Sequence, residues 1–351
     1  MKKSSYIGMF RTVASVIVAL VSALVVSSCN GMIYDDQGDC SAKYRLMFRY
    51  DYNMKFADAF AHEVKSVAVY AFDVDGNMVW HGTDRGERLA ADGYALDLPL
   101  PAGDYRIVAW CGLDDGESFT VGVRSRSDLT DMVCTLNTEA GAGGTAYCDD
   151  DLHPLFYGSI DVTLPTMEDG GEYTCTVPLV KDTNVFRIVL QQMSGDGLDS
   201  NDFEFSIEGA GNARLDSENG LMEGGDVTYG AWSKYSAEAG LTYEDCTFVT
   251  GVSAVVAELT VGRLMMLDWK GDRNRPVLTV RKKDGSKVLS IPVIDYALLV
   301  KGKYNREMSN QEYLDRQDEY NMTFFLDADH KWLSASVIIN SWRVVLDNVD
   351  L

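Results

Sequence analysis

After residue 40 nearly every apolar run in this chain is short, alternates with polar residues and is bounded by Gly, Asp or Asn. A period of two sends successive side chains to opposite faces of a strand, so such runs bury their apolar face only when paired into sheets. A chain built from many of them is confined to sandwiches or barrels. The runs of the first half are KYRLMFRY, KSVAVYAFD, NMVWHG, YALDLPL, DYRIVAW, LFYGSIDVTL and YTCTVPL. Those of the second half are NVFRIVLQQM, DFEFSIEG, SAVVAELTVGRL, PVLTVRKKDGSKVLSIPV, YNMTFFLD and WLSASVIINSWRVVL. Asp75–Gly76 and Asp284–Gly285 are two-residue hairpin signals. The fold class is all-β with a short helix or two. Ser309, followed three residues later by Glu312, forms a capping box ahead of Tyr313, Gln317 and Tyr320 on one helical face. NMKFADAFAHEV sets Phe56, Phe60 and Val64 at helical spacing.

The head of the chain has a different character. Lys2, Lys3 and Arg11 precede an uncharged apolar stretch ending in small residues, the layout of a secretory signal peptide over residues 1–28. Val26, Ser27, Ser28 and Cys29 resemble the lipobox of bacterial lipoproteins, in which the thiol is acylated and the chain is cut before it. Each buried methylene contributes ~0.8 kcal/mol, so several acyl chains on Cys29 would hold the protein in its membrane. Residue 30 is Asn and not the Asp that retains many lipoproteins at the inner membrane, which favours the cell outer membrane.

The rest, Cys29–Leu351, is long enough for two domains, and 46% hydrophobic residues exclude a disordered chain. PLVKDTN, residues 178–184, inserts proline and polar residues between two strand patterns. It divides the reading into an N-terminal sandwich over 29–180 and a C-terminal one over 181–351. The net charge of −22 repels phosphate and argues against nucleic acid as a partner. Besides Cys29 there are Cys40, Cys111, Cys134, Cys148, Cys175 and Cys246, an even number that in an exported chain permits disulfides. Cys111, in line with Tyr105, Ile107 and Ala109, and Cys175, between Tyr173 and Val177, also fit as small core residues.

No motif carries chemistry. DVDGN opens like a calcium loop from Asp73, but the sixth and twelfth positions, which need Gly and Glu, are Met78 and Asp84. Cys148–Asp151 reads as a solvated acidic stretch, within a Gly-rich loop over 138–151 expected to be mobile or to contact a partner. The histidines, His62, His81, His153 and His330, have no zinc spacing. There is no C-x-x-C, G-x-S-x-G or phosphate loop. The reading is a non-enzyme with no catalytic residues, metal or cofactor.

CNGMIYDDQGDC, FRYDYNMKFADAFAHEVKSVAVYAFDVDGNMV, LPAGDYRIVAWCG, LFYGSIDVTL, LVKDTNVFRIVL and INSWRVVLDNVDL resemble the FimB-type fimbrial anchor and assembly lipoproteins of type V fimbriae. The resemblance runs from Cys29 to Leu351. It implies two tandem transthyretin-like β-sandwiches, lipid attachment at Cys29, and a place at the base of an adhesive fimbria, where the subunit tethers the filament and helps assemble it. It also implies fimbrial shaft or minor pilin subunits as partners, joined by strand complementation, in which main-chain hydrogen bonds give affinity and side-chain pockets give specificity. The strands expected to be contacted are the first, KYRLMFRY, and the last, SVIINSWRVVL with Trp342. Polymerising relatives are cut after a basic residue near the start. Here Lys43, Arg45 and Arg49 sit inside a strand pattern, which suits an anchor that keeps its lipid. The alternatives are a fimbrial tip adhesin and a surface glycan-binding lipoprotein. The latter would show a row of exposed residues among Trp80, Trp110, Trp232, Trp269, Trp332 and Trp342.

Overall fold

The computed structural model describes residues 42–345 apart from 114–115, 123–127, 168–170, 193–196, 243–247, 267–275 and 303–306. The chain divides into two units. The smaller is residues 1–43 with 167–172, of which only Ala42, Lys43, Met167, Gly171 and Glu172 are described. The larger, Tyr44–Thr166 with Tyr173–Leu351, holds both sandwiches.

One sheet of the first sandwich runs β11 (Gly171–Pro178), β1 (Ala42–Arg49), β4 (Leu96–Leu98). The other runs β12 (Val180–Lys181), β10 (Phe156–Leu164), β5 (Gly103–Cys111), β2 (Ser66–Phe72), β3 (Met78–Arg85). Tyr44, Leu46 and Phe48 of β1 are buried at every second position, as alternation requires. Gly158, a glycine inside the β10 run, marks where the sheets touch. A Cβ there would lie 2.5 Å from the Pro178 carbonyl oxygen and 2.6 Å from Val177 Cγ1 at the end of β11.

The second sandwich pairs two six-stranded sheets. One is β17 (Ser233–Thr242), β18 (Phe248–Gly262), β13 (Thr183–Gln192), β21 (Glu319–Leu326), β22 (Trp332–Ile339), β23 (Trp342–Val345). Its facing sheet is β20 (Lys287–Pro292), β19 (Val277–Lys282), β14 (Phe203–Glu208), β16 (Val227–Gly230), β9 (Ala146–Cys148), β8 (Glu139–Ala140). Phe186 of β13 stacks on Tyr320 of β21 at 4.9 Å in the core between them. A small sheet, β15 (Arg214–Asp216), β7 (Val133–Leu136), β6 (Phe119–Gly122), completes the fold.

Chain order and sheet order part company after β5. β7 pairs with β15, Leu215 opposite Cys134, and β9 runs parallel to β16, Tyr147 opposite Thr228. The stretch from 119 to 148 therefore extends sheets whose other strands lie beyond Lys181. Within the Gly-rich segment over 138–151, β8 and β9 pair as a hairpin, and β9 is hydrogen-bonded to β16. This excursion also covers the second face of the β2–β5 sheet, where Tyr70, Phe72, Val108 and Trp110 join one core with Phe119, Met132 and Leu136. β2 and the end of β5 are buried on both faces, so their runs are nearly continuously apolar.

Three helices occur among the described residues: α1 (Phe60–Glu63), α2 (Val293–Leu299) and α3 (Asn310–Arg316). α3 starts where the capping box places it, with Ser309 Oγ accepting from Glu312 N at 3.0 Å. It stops at Arg316, because Gln317 is extended and Val185 N donates to Asp318 O to begin the pairing of β21 with β13. Tyr320 is thus a strand residue and not part of the helical face. Ser309→Ala is expected to cost about 1 kcal/mol, measured by urea unfolding of the full chain.

α1 is far shorter than the pattern of Phe56, Phe60 and Val64 suggests. Phe56 has φ 52°, and the Asn53 and Asp58 side chains bond the main chain locally, Asn53 Nδ2 to Ala57 O at 2.8 Å and Tyr50 N to Asp58 Oδ1 at 3.0 Å. α2 escapes an alternation reading that runs β20 on through Pro292. Its buried Val293, Ile294, Tyr296 and Ala297 have helical spacing. The last apolar run is two strands, with Asn340 (φ 46°) and Ser341 (φ 70°) forming the turn between β22 and β23.

Candidate functional site

Of the two strands expected to meet a partner, one is disqualified by its position. β1 lies between β11 and β4, so both of its edges are hydrogen-bonded, and Arg45 and Arg49 belong to that inner strand. Among the described residues β23 ends its sheet and pairs on one side only, Val337 opposite Val344 and Ile339 opposite Trp342. Trp342 is not a core aromatic: it is 61% exposed. Beside it a groove of about 630 Å³ is lined by Met54, by Leu299 and Val300 at the end of α2, by Tyr313 of α3 and by Trp342–Val344.

The two sandwiches are joined by ion pairs drawn from PLVKDTN. The polar residues that mark a boundary in the sequence are not solvated: Asp182, Thr183 and Asn184 are buried. Lys181 Nζ donates to Asp318 Oδ2 at 2.6 Å and to Glu63 Oε2 at 3.0 Å. Burial pulls its pKa down, and the two carboxylates more than offset this and leave it raised. Asp182 accepts from Asn219 Nδ2 at 2.9 Å and lies 3.5 Å from Arg263 Nε. Arg263 also grips Asp315 with both Nε and Nη2 at 3.1 Å. Burial pushes the Asp182 carboxyl up to about 7, against Arg263 and Asn219, which pull it down. Nearby, the Arg316 guanidinium packs 4.0 Å from the Tyr52 ring centroid and 4.6 Å from that of Phe56, and so holds the loop after β1 against α3. None of these partners is visible in the sequence, since they lie far apart along the chain and follow no motif.

Cys29, Cys40, Cys246, Trp269 and residues 1–28 lie outside the described residues. Cys111, Cys134, Cys148 and Cys175 are free thiols and form no disulfide. Burial raises the Cys111 and Cys134 thiols far above their ordinary value, so they are protonated core residues and not nucleophiles.

DVDGN is a hairpin turn: Asp73 Oδ1 accepts from the main-chain N of Asp75 and of Asn77, while Met78 and Asp84 belong to β3. The histidines are scattered, with His62 on α1, His81 on Tyr70, His153 by Glu117 and His330 beside Phe203. Among the described tryptophans only Trp342 is exposed. Trp110 is buried and Trp80, Trp232 and Trp332 are half-buried, so they form no exposed aromatic row.

No curated protein matches the chain. Solved structures do. A candidate adhesin from Bacteroides thetaiotaomicron is 34% identical with a TM-score of 0.76, covering 89% of this chain and 100% of that one. A candidate polysaccharide-binding protein from the same species is 28% identical with a TM-score of 0.71, covering 88% and 99%. The fimbrial anchor protein Mfa2 from Porphyromonas gingivalis shares the fold at 17% identity and a TM-score of 0.61, covering 88% and 100%. The model of the fimbrillin-A associated anchor proteins Mfa1 and Mfa2 matches residues 37–348. With a match that spans both sandwiches, and with a relative of 34% identity along nearly the whole chain, this protein belongs to the fimbrillin-A associated anchor protein family.

Proposed function

We propose that the protein is an outer-membrane lipoprotein that anchors an adhesive fimbria and helps to assemble it, held by acylated Cys29 and joined to fimbrial subunits by strand complementation. The observation that carries this reading is the match to the anchor family over residues 37–348. The lipobox resemblance at Val26–Cys29 and the open edge of β23 support its two physical parts, the tether and the joint. The role is mechanical. A subunit that keeps several acyl chains stays in the bilayer while a filament pulls on its other end. The sandwiches are proposed to act as two domains meeting near Lys181.

Cys29→Ala is expected to abolish incorporation of labelled palmitate and to move the protein from the outer-membrane fraction to the soluble periplasm. Fimbriae would then be shed into the medium. Retention of Cys29→Ala in the membrane fraction would overturn the lipid tether, and failure of the wild-type protein to co-purify with polymerised fimbrillin would overturn the joint.

The 34% identical candidate adhesin favours one other reading, a subunit at the fimbrial tip. Immunogold labelling separates the two. An anchor labels only where filaments meet the cell, whereas a tip subunit labels their distal ends.

A further inference from the structure

We infer that the groove beside β23 is a peptide site selective for an extended segment of a partner subunit carrying alternating aliphatic and acidic side chains, added as a strand to the free edge of β23. This deepens the strand-joining part of the proposed function and rests on it for the source of the peptide, though not for its chemistry.

Three observations converge. First, among the described residues β23 is paired on one side only, so alternate main-chain N–H and C=O groups face away from β22 and can bond another strand. The edges formed by the longer strands β17 and β20 are broken by register shifts, at Ala239/Leu241 in β17 and at Val280/Arg281 where β20 pairs. The β22–β23 register runs without one. Such irregularities discourage strand addition, and β23 lacks them.

Second, the edge stands next to side-chain space. The groove of about 630 Å³ presents Met54, Leu299, Tyr313 and the 61% exposed Trp342, an apolar lining that suits aliphatic side chains on one face of an added strand. Met54 comes from the first sandwich and the rest from the second, and the Arg316 contacts with Tyr52 and Phe56 hold the two contributions together.

Third, the charge is of one sign. The protein carries −22 overall, yet the charged residues among the described lining are both cations, Lys301 and Arg343. The Lys301 ammonium is steadied by Asn310 Oδ1 at 2.9 Å, while Arg343 makes no ion pair among the described residues. A basic strip on an acidic molecule attracts acidic segments and rejects basic ones, which is selection by electrostatic complementarity.

The test uses the full mature chain and three fluorescein-labelled octapeptides: alternating Val and Asp, alternating Val and Lys, and the Val–Asp peptide with alternate backbone nitrogens methylated. The Val–Asp peptide is expected to bind at least about tenfold more tightly than the Val–Lys peptide, and methylation is expected to remove binding. Arg343→Glu, which leaves Lys301 facing a carboxylate, should abolish the preference and Trp342→Ala should weaken binding by roughly tenfold. Both side chains are exposed, so thermal melts of the variants should match the wild type. Equal affinity for the two charged peptides, absence of saturable binding, or an Arg343→Glu variant with unchanged preference would overturn the inference. Co-purification separates this from the anchor reading. If wild type and Trp342→Ala/Arg343→Glu retain fimbrial subunits equally, the groove assignment fails and the anchor stands. If the wild type retains none while the peptide preference holds, the anchor reading fails and the groove assignment stands.

Discussion

Arg263→Ala is expected to lower the unfolding free energy by about 3–5 kcal/mol at neutral pH, the cost of leaving a buried charge without its partner. Asp182 is fully buried, its Oδ2 has no hydrogen-bond partner among the described residues, and Arg263 is the cation that faces it. The same substitution strips Asp315 of a bidentate partner. Equilibrium urea unfolding measures the loss. Combining Arg263→Met with Asp182→Asn and Asp315→Asn should recover most of it, since removing the cation together with both carboxylates leaves no orphaned charge.

The pH dependence has a definite sign. Burial holds Asp182 at about 7 in the folded protein, above the carboxylate value of the unfolded chain. The fold therefore prefers the neutral carboxyl, whose contribution is complete below about pH 4 and is lost as pH rises through about 7. Asp182→Asn should flatten the stability profile between those limits, and the Arg263→Ala loss should be smaller at pH 5 than at pH 8. A loss independent of pH would show that Asp182 does not titrate in this window.

A fragment of residues 182–351 is expected not to fold by itself. Its boundary is where proline and polar residues suggest a linker, but β16 would lose its parallel partner β9 and β15 would lose β7. Phe119, Met132, Leu136, Leu152 and Leu155, which belong to the same core as β13, β18 and β21, would be removed as well. Unpaired edges and an uncovered apolar face lead to aggregation. Expression of the fragment should give insoluble protein, or a soluble form without near-ultraviolet circular dichroism. Co-expression with residues 29–181 should restore a co-purifying complex. A cooperative unfolding transition for the fragment alone would show that the strands contributed by residues 119–148 are dispensable.

Much of the fold is legible in local pattern. Alternation in KYRLMFRY, YNMTFFLD and NVFRIVLQQM locates β1, β21 and β13, Asp75–Gly76 locates a hairpin turn, and Ser309 with Glu312 locates the start of α3. The misreadings have local causes too. Asn340–Ser341 was a turn hidden inside an apolar run, and Phe56 in a left-handed conformation ended a helical pattern.

The site is another matter. Whether a strand is an edge depends on what lies beside it, and β1 and β23 carry equally good strand patterns although, among the described residues, one is enclosed by β11 and β4 and the other is open. The buried charges of the junction behave likewise: Lys181 and Asp182 sit in a stretch that reads as a polar linker, and only partners such as Asp318 and Arg263 make their burial tolerable. By itself the sequence determined most of the strands, the turns at Asp75–Gly76 and Asp284–Gly285, the α3 cap and the expectation of a lipid tether, because each is written in neighbouring residues. The tertiary structure alone decided which edge stays open and which charges are buried, because pairing between residues far apart in the chain leaves no mark on the local periodicity of either.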